Sequence, residues 1–329
     1  TKRTDKQIKR FWFTQVGGGT NTDEANTNLG LYYKFNEGIF DKLKLHYADV
    51  TDISSLTKII NKVRPEEIYN LAAQSHVGES YHSPVSTSEI DALGPLHILE
   101  AIRNIDKSIR FYQASTSEMF GSSPAPQNEN TPFRPCSPYG CAKLYAYWMT
   151  KNYREAYGMF ASSGILFNHE SPRRGETFVT RKVTKGVARI YHKKQDKIVV
   201  GNLDAKRDWG HARDYVEAMY KILQHSTPHD YVIATGKQHT VREMIEVAFS
   251  NIGITIAWWG SGANERGVDQ NGVTRVVIDS KYYRPNEVND LLGDPSLAAS
   301  KLNWYPSISF ENMIREMVEH DLIEERSHA

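Results

Sequence analysis

The chain has 329 residues, enough for one large α/β domain or for a dinucleotide-binding domain with a smaller second part. It is 40% hydrophobic and 24% charged, with a formal net charge of +1, so there is no global electrostatic attraction to nucleic acid or an anionic membrane. No apolar run approaches the roughly 20 residues that cross a bilayer, and the basic, polar stretch Thr1 to Arg10 lacks the apolar core of a secretory signal. These features predict a cytoplasmic protein that binds neither nucleic acid nor membrane. The two cysteines, Cys136 and Cys141, are too few for a disulfide framework and read as reduced thiols. No Cys/His grouping has zinc-ligand spacing, and no metal is expected.

Taken in chain order, the elements alternate. Leu43 to Tyr47 reads as a short strand. Asp52 caps a helix whose apolar positions Ile53, Leu56, Ile60 and Val63 share one face, and Pro65 ends it. Ile68 to Ala73 is a buried strand. Ser88 to Arg103 is helical, with Pro95 imposing a kink or a late start. Ile109 to Ala114 is a third strand, Pro138 to Tyr157 a long helix with proline where its first turn tolerates one, and Phe160 to Phe167 a fourth strand. Such alternation predicts a doubly wound, Rossmann-like parallel sheet. After residue 168 the pattern loosens. Gly175 to Arg181 is polar and basic, Lys197 to Val200 and Tyr231 to Ala234 read as strands, and Val241 to Ile252 is a helix after Thr240. Gly260 to Gly272, rich in Gly and Asn, reads as a mobile loop. The expected division is a cofactor-binding part over 1–168 and a smaller substrate-binding part over 169–329, with segments at about 205–240 returning to the main domain.

Tyr139 and Lys143 stand four apart and project from one face of the long helix. An ammonium near a phenol favours the phenolate, which makes Tyr139 a candidate general base. Tyrosine and lysine are common enough here for such a pair to arise by chance, so the context decides. The preceding strand ends in Ala114-Ser-Thr-Ser-Glu118, and the carboxyl ends of strands in an open parallel sheet face the ligand crevice. Thr116 offers a hydroxyl there, and Glu118 a carboxylate able to take a proton from carbon.

The string Phe111-Tyr-Gln-Ala-Ser-Thr-Ser-Glu-Met-Phe-Gly121, followed by Ser137-Pro-Tyr-Gly-Cys-Ala-Lys143, resembles the extended short-chain dehydrogenase/reductase family and, more narrowly, the GDP-mannose 4,6-dehydratases. Asn70-Leu-Ala-Ala-Gln-Ser-His76, Leu166 to Lys182, Arg207-Asp-Trp-Gly-His211 and Tyr282 to Val288 agree, so the likeness runs from about Leu43 to the end of the chain. The resemblance implies a lyase that dehydrates GDP-mannose to GDP-4-keto-6-deoxymannose, the first step toward GDP-fucose and related deoxysugars, by internal hydride transfer through NADP. It implies that Tyr139 removes the 4-hydroxyl proton, Lys143 tunes Tyr139, Thr116 binds the 4-oxygen, and Glu118 removes the C5 proton and helps the C6 hydroxyl leave. Asp49, Leu71, Ala72, Ala73, Tyr139, Lys143, His169 and Arg174 would bind the cofactor. Ser75, Asn168, Lys182, Arg207, Arg284 and Glu287 would bind the nucleotide sugar. A homodimer or homotetramer is implied, with helices around the Tyr139 segment meeting across the dimer.

The sequence departs from that family at its start. The glycine-rich turn that brings backbone to a pyrophosphate is not recognisable. The cluster Gly17-Gly18-Gly19 follows Phe11-Trp-Phe-Thr14 without an opening helix after it. Either Phe11 to Gly19 is a degenerate first strand and turn, or it matches the second strand and its loop. An arginine pair for a 2′-phosphate is also missing there. The alternatives are a catalytically impaired paralogue that binds a nucleotide sugar or a partner subunit, and another sugar-nucleotide dehydratase or epimerase.

Overall fold

The structure, a computed structural model, describes residues 32–33, 46–283, 286, 288 and 290–327. In chain order its strands are β1 (Tyr32–Tyr33), β2 (Glu67–Asn70), β3 (Arg110–Thr116), β4 (Ala161–Leu166), β5 (Asn168–Glu170), β6 (Ile198–Val200), β7 (Lys206–Arg207), β8 (Trp209–His211), β9 (Tyr231–Ile233), β10 (His239–Thr240), β11 (Ile256–Trp259), β12 (Arg266–Asp269) and β13 (Thr274–Ile278). The main sheet runs β1-β2-β3-β4-β9. Its last four strands are parallel, with Ile68 opposite Phe111, Ser115 opposite Ile165 and Ile165 opposite Val232, and β1 pairs antiparallel with β2 at the edge.

Helices cover both faces, so the central strands are buried on both sides rather than alternating between core and solvent. Successive residues of β3 point to opposite layers. Phe111 packs with Leu56, Ile60, Ile98, Leu99 and Ile102, whereas Tyr112 packs with Tyr69, Tyr215, Met219, Ile222 and Trp304. The doubly wound fold class holds. The helix Ala212–Gln224 and strand β9 both belong to this main layer. A separate core of Val183, Val187, Met244, Ile245, Phe249, Ile314 and Met317 sits beneath β6 and β11 to β13.

The local expectations fare unevenly. Asp52 caps Ile53–Val63 through the Ser54 amide, and Arg64 ends that helix in the left-handed region just before Pro65. Its buried face is Leu56, Ile59 and Ile60, while Ile53 turns outward. Pro95 does not mark a late start, because helical backbone already runs from Pro84–Ser88 into it. A π-helical turn, Glu89–Leu93, precedes the helix Gly94–Ile105. The long helix spans Pro138–Tyr157 as expected, and Thr240 forms a capping box with Glu243 at the head of Val241–Ser250.

One expectation is corrected. Gly260 to Gly272 is not a mobile loop. Strands β11 and β12 pair antiparallel through it, and Gly260, Gly262 and Gly272 take positive φ at the turns. The basic stretch after Gly175 passes into a helix, Val179–Tyr191, because Val183, Val187 and Ile190 form an apolar face that the intervening basic residues obscure. Leu43 to Tyr47 falls mostly outside the described residues, and His46 and Tyr47 lie in coil. The readings on Phe11 to Gly19 also fall outside the described residues.

Candidate active site

Strand β3 delivers Thr116 at its carboxyl end, where the backbone turns into the short 3₁₀ segment Ser117–Met119. The Thr116 hydroxyl accepts from the Glu118 amide at 3.2 Å, which caps that turn. Both side chains are buried, at 9% and 8% exposure. The turn closes at Gly121, whose φ of +52° and whose absent Cβ, which would stand 1.9 Å from the Arg134 carbonyl oxygen, admit only glycine. Arg134 then donates to the Met119 carbonyl at 3.0 Å, holding the Glu118 segment against the loop that leads into the next helix.

That helix begins at Pro138, with the Ser137 hydroxyl accepting from the Gly140 amide at 3.0 Å. Such a cap is worth about 1 kcal/mol over alanine. A Cβ on Gly140 would stand 2.9 Å from the Glu118 carbonyl oxygen, so the first helical turn rests directly on the Glu118 segment. Tyr139 and Lys143, one turn apart, are both buried. The Lys143 ammonium donates to the Ala114 carbonyl at 3.0 Å and lies 5.9 Å from the centre of the Tyr139 ring.

The electrostatics decide how these groups can act. Burial pushes the Tyr139 phenol well up; the Asp91 and Glu118 charges add to that, while a hydrogen bond with Thr116 and the Arg174 guanidinium oppose it. Tyr139 therefore bonds Thr116, with the charges of Glu118 and Arg174 near enough to act on it. The charge of Arg174 eases Tyr139 toward ionisation in this arrangement. Burial pushes the Lys143 ammonium down, and Asp91 pulls it back up.

Around this centre, Asn70 binds Gln113 across β2 and β3 at 2.8 Å, and its carbonyl accepts from the Ala72 amide at 3.2 Å, which shapes the turn bearing Leu71, Ala72 and Ala73. Leu71 and Ser75 are exposed, Ala72 is buried and Ala73 half-buried. His169 on β5 holds the Phe167 carbonyl oxygen at 2.9 Å and stacks on Tyr215, and burial keeps its imidazole below the ordinary range. Arg174 ion-pairs with Glu170 at 3.2 Å and covers the Phe178 ring. Asn168 is half-buried opposite Trp209, Arg207 is buried opposite His239, and the Lys182 ammonium lies 3.4 Å over the Tyr282 ring. The Asp49 carboxylate accepts from the amide and hydroxyl of Thr51, a local turn. Arg284 and Glu287 lie outside the described residues.

Two residues escaped the sequence as partners of this centre. Arg174, which the resemblance gives to the cofactor, also carries a charge that acts on Tyr139. Asp91 carried no assignment. Its signal was an acid inside the run Ala92, Pro95, Ile98, Leu99 and Ile102, all of which are buried.

Comparison with known proteins decides the family. A model described as GDP-mannose 4,6 dehydratase matches residues 16–317. The chain belongs to the GDP-mannose 4,6-dehydratase family. Curated members resemble it closely: 57% identity over 285 residues to the Drosophila melanogaster protein, covering 85% of this chain and 72% of that one, and 53% over 296 residues to the Homo sapiens protein, covering 89% and 80%. Among solved structures, RMD from Pseudomonas aeruginosa complexed with NADPH superposes with TM-score 0.73 at 22% identity, covering 85% of this chain and 88% of that one. The dTDP-glucose 4,6-dehydratase DesIV from Streptomyces venezuelae, with NAD and TYD bound, gives 0.70 at 21%, covering 85% and 80%. These two share the fold.

The described part of this dehydratase-family chain suits a dinucleotide. The turn after β2 sets the small side chains Ala72 and Ala73 beside the exposed Leu71, and the Ser115 hydroxyl on β3 and one Asp91 carboxylate oxygen are buried without a hydrogen-bond partner.

Proposed function

We propose that this chain dehydrates GDP-mannose to GDP-4-keto-6-deoxymannose with NADP as a recycled cofactor. The observation that carries the reading is the meeting of Thr116, Glu118 and Tyr139 where β3 ends and the helix Pro138–Tyr157 begins. NADP, held by Ala72, Ala73, Tyr139, Lys143, His169 and Arg174, supplies a hydride acceptor and donor when bound.

The chain's own residues supply the acid–base work. Tyr139 accepts the proton of the sugar 4-hydroxyl, and Thr116 hydrogen-bonds the 4-oxygen. The resulting ketone acidifies the C5 hydrogen, and Glu118 takes that proton and protonates the departing C6 hydroxyl, which leaves as water. A carboxylate at this place distinguishes dehydration from epimerisation at C4, which requires no C5 base. Ser75, Asn168, Lys182, Arg207, Arg284 and Glu287 bind the nucleotide sugar, cations pairing with its diphosphate. We assign cofactor binding to 1–168 and substrate binding mainly to 169–329, with about 205–240 returning to the main domain.

The same reading includes self-association through the long helix. Cys141, Tyr145, Trp148 and Asn152 form an exposed stripe along it. Two free thiols, the nucleotide-sugar substrate and the lack, among the described residues, of any helix long and apolar enough to cross a membrane support a cytoplasmic location. Incubation of the purified chain with GDP-mannose and NADP, followed by mass spectrometry of the sugar nucleotide, tests the activity. Loss of one water from the sugar at catalytic turnover supports it; unchanged GDP-mannose refutes it.

A further inference from the structure

We propose that Tyr81 is a positioning residue for nucleotide-sugar binding: with the Asn286 side chain, its hydroxyl clasps the chain at Asn286 to the head of the helix that carries Tyr139. The proposal rests on the functional reading above and extends it. Tyr81 follows the short helical turn Val77–Ser80, which continues the loop after β2. Its hydroxyl donates to the Cys136 carbonyl at 2.8 Å, and the Asn286 carbonyl oxygen lies 3.4 Å from the same hydroxyl. The Asn286 side-chain amide donates to that Cys136 carbonyl at 3.3 Å. Segments 55 and 150 residues away along the chain thus converge on one carbonyl oxygen.

The Cys136 carbonyl stands one residue before the Ser137 cap, outside the ladder of the long helix. The Cys141 amide goes to the Ser137 carbonyl and the Gly140 amide to the Ser137 hydroxyl, so the helix leaves the Cys136 oxygen to other donors. The helix does not need the clasp for its own position. The Ser137 cap, the Lys143 bond to Ala114 and the packing of Gly140 on the Glu118 segment hold it. The turn at Tyr81 is also held by other contacts. The His76 ring accepts from the Glu79 amide at 3.0 Å and meets the Phe178 ring edge-on at 5.9 Å, and the Ser83 hydroxyl donates to Glu79 at 2.9 Å. What the clasp adds is the attachment of the chain at Asn286.

The functional reading gives this part of the chain to the nucleotide sugar. Lys182, assigned to the substrate, lies 3.4 Å over the Tyr282 ring, and Arg284 and Glu287, assigned likewise, stand on either side of Asn286 in the sequence. The stretch has an anchor at each end. The Tyr283 amide bonds the Ser280 carbonyl at 3.0 Å, and Val288 is buried with Phe167, Ala234 and Leu291 in a cluster against which Cys136 packs. Between these anchors, Tyr81 and Asn286 fasten the stretch to the residue that precedes the Tyr139 helix cap. A binding segment already fixed along its length has less freedom to lose when a ligand arrives, so the clasp favours binding. It leaves the chemical step alone, because Thr116, Glu118 and Tyr139 keep their own supports. Tyr81→Phe deletes the hydroxyl and keeps the ring.

The test compares the full wild-type chain with Tyr81→Phe and Asn286→Ala. Without substrate, amide hydrogen exchange in peptides covering 280–292 should be at least about threefold faster in both variants, with circular dichroism unchanged. Affinity for GDP, measured by calorimetry without turnover, should weaken about 3- to 10-fold in Tyr81→Phe. With GDP-mannose and NADP, KM for GDP-mannose should rise by the same factor while kcat stays within about twofold. A hydroxyl that only stabilises the fold would lower the urea midpoint without moving GDP affinity or KM, and that result overturns the proposal. Exchange equal to the wild type in folded Tyr81→Phe also overturns it, as does a fall in kcat at unchanged KM, which would place the effect on Tyr139. A wild-type chain that binds GDP but leaves GDP-mannose unchanged refutes the functional reading, while the exchange and GDP comparisons still decide this one.

Discussion

The Lys143 ammonium donates to the Ala114 carbonyl at 3.0 Å, so the helix that carries Tyr139 is fastened to the strand that ends in Thr116. One side chain thereby fixes the distance between the candidate base and the hydroxyl beside it. Alanine at Lys143 removes both the anchor and the charge. Lys143→Ala should lower kcat by about 10²-fold near neutral pH, and the deficit should shrink as pH rises, because the phenol then ionises with less help. A pH–rate profile parallel to the wild type would show that Lys143 acts on the geometry alone.

Glu118→Gln keeps size and hydrogen bonding at the buried turn but removes the base. Dehydration should fall by roughly 10²–10⁴-fold, with affinity for GDP-mannose nearly intact by calorimetry. Because Tyr139 and Thr116 remain, exchange of the sugar's C4 hydrogen with the cofactor should persist while loss of water stops. Retention of more than half the wild-type turnover would exclude Glu118 as the C5 base.

The contrast between Glu118 and Asp91 shows what the sequence could and could not disclose. Glu118 was legible because it follows a strand in a recognisable string, and strand ends face the crevice. Asp52 and Thr240 were legible because caps are local, decided within three residues. Asp91 was not, because its hydrogen-bond partner is the Gln74 amide, which the fold brings to it from another part of the chain. The helix Val179–Tyr191 was hidden by Arg181, Lys182, Lys185 and Arg189. Two of these are buried in ion pairs, Arg181 with Asp321 at 2.8 Å and Lys185 with Glu176, which no local pattern announces. The hairpin at Gly260 to Gly272 was misread for the opposite reason: its glycines serve tight turns in a sheet, and composition alone cannot separate that from flexibility.

The pair Arg154–Asp230 closes the far edge of the main sheet. Its two contacts measure 2.6 and 3.0 Å, both side chains are largely buried, and Asp230 also accepts from the Ser163 amide at 2.9 Å. Asp230→Ala leaves a buried guanidinium and an unfilled amide. It should cost about 3–5 kcal/mol in unfolding free energy, measured by urea denaturation. The double variant with Arg154→Met should recover part of the loss, since the stranded charge is then gone.

Asp91 also predicts a pH dependence of stability. Folding raises its carboxyl from 3.8 to about 6, so the folded state holds this proton more tightly than the unfolded chain does. The stabilising contribution is present in full below the unfolded value and is lost as pH rises through the folded one. Asp91→Asn lacks this term. Relative to the wild type, the variant should therefore gain stability across about pH 4 to 6, by roughly 3 kcal/mol at most. Urea midpoints of both proteins at the two ends of that window measure it. A difference that is flat with pH would show that the carboxyl ionises in the folded protein as readily as in the unfolded one.

The exposed stripe on the long helix predicts the assembly. Tyr145 is 40% exposed and Trp148 50%, three residues apart on one face, while the opposite face of the same helix holds Tyr139, Ala142, Lys143, Ala146 and Tyr147 against the sheet. Leu93, at the end of the π-helical turn that packs on this helix, is 41% exposed. Large apolar groups grouped this way are placed where a partner surface removes them from water. A twofold dimer would bring the stripe against its own copy, with each tryptophan buried by the other subunit. Trp148→Glu puts a charge at the centre of that contact and should convert the dimer to monomer in sedimentation at micromolar concentration, without unfolding the chain. The active centre, on the inner face of the same helix, should then lose activity in step with the loss of dimer as protein concentration falls. A wild-type chain that sediments as a monomer at these concentrations, or a Trp148→Glu variant with unchanged mass, would show that the stripe faces water in solution.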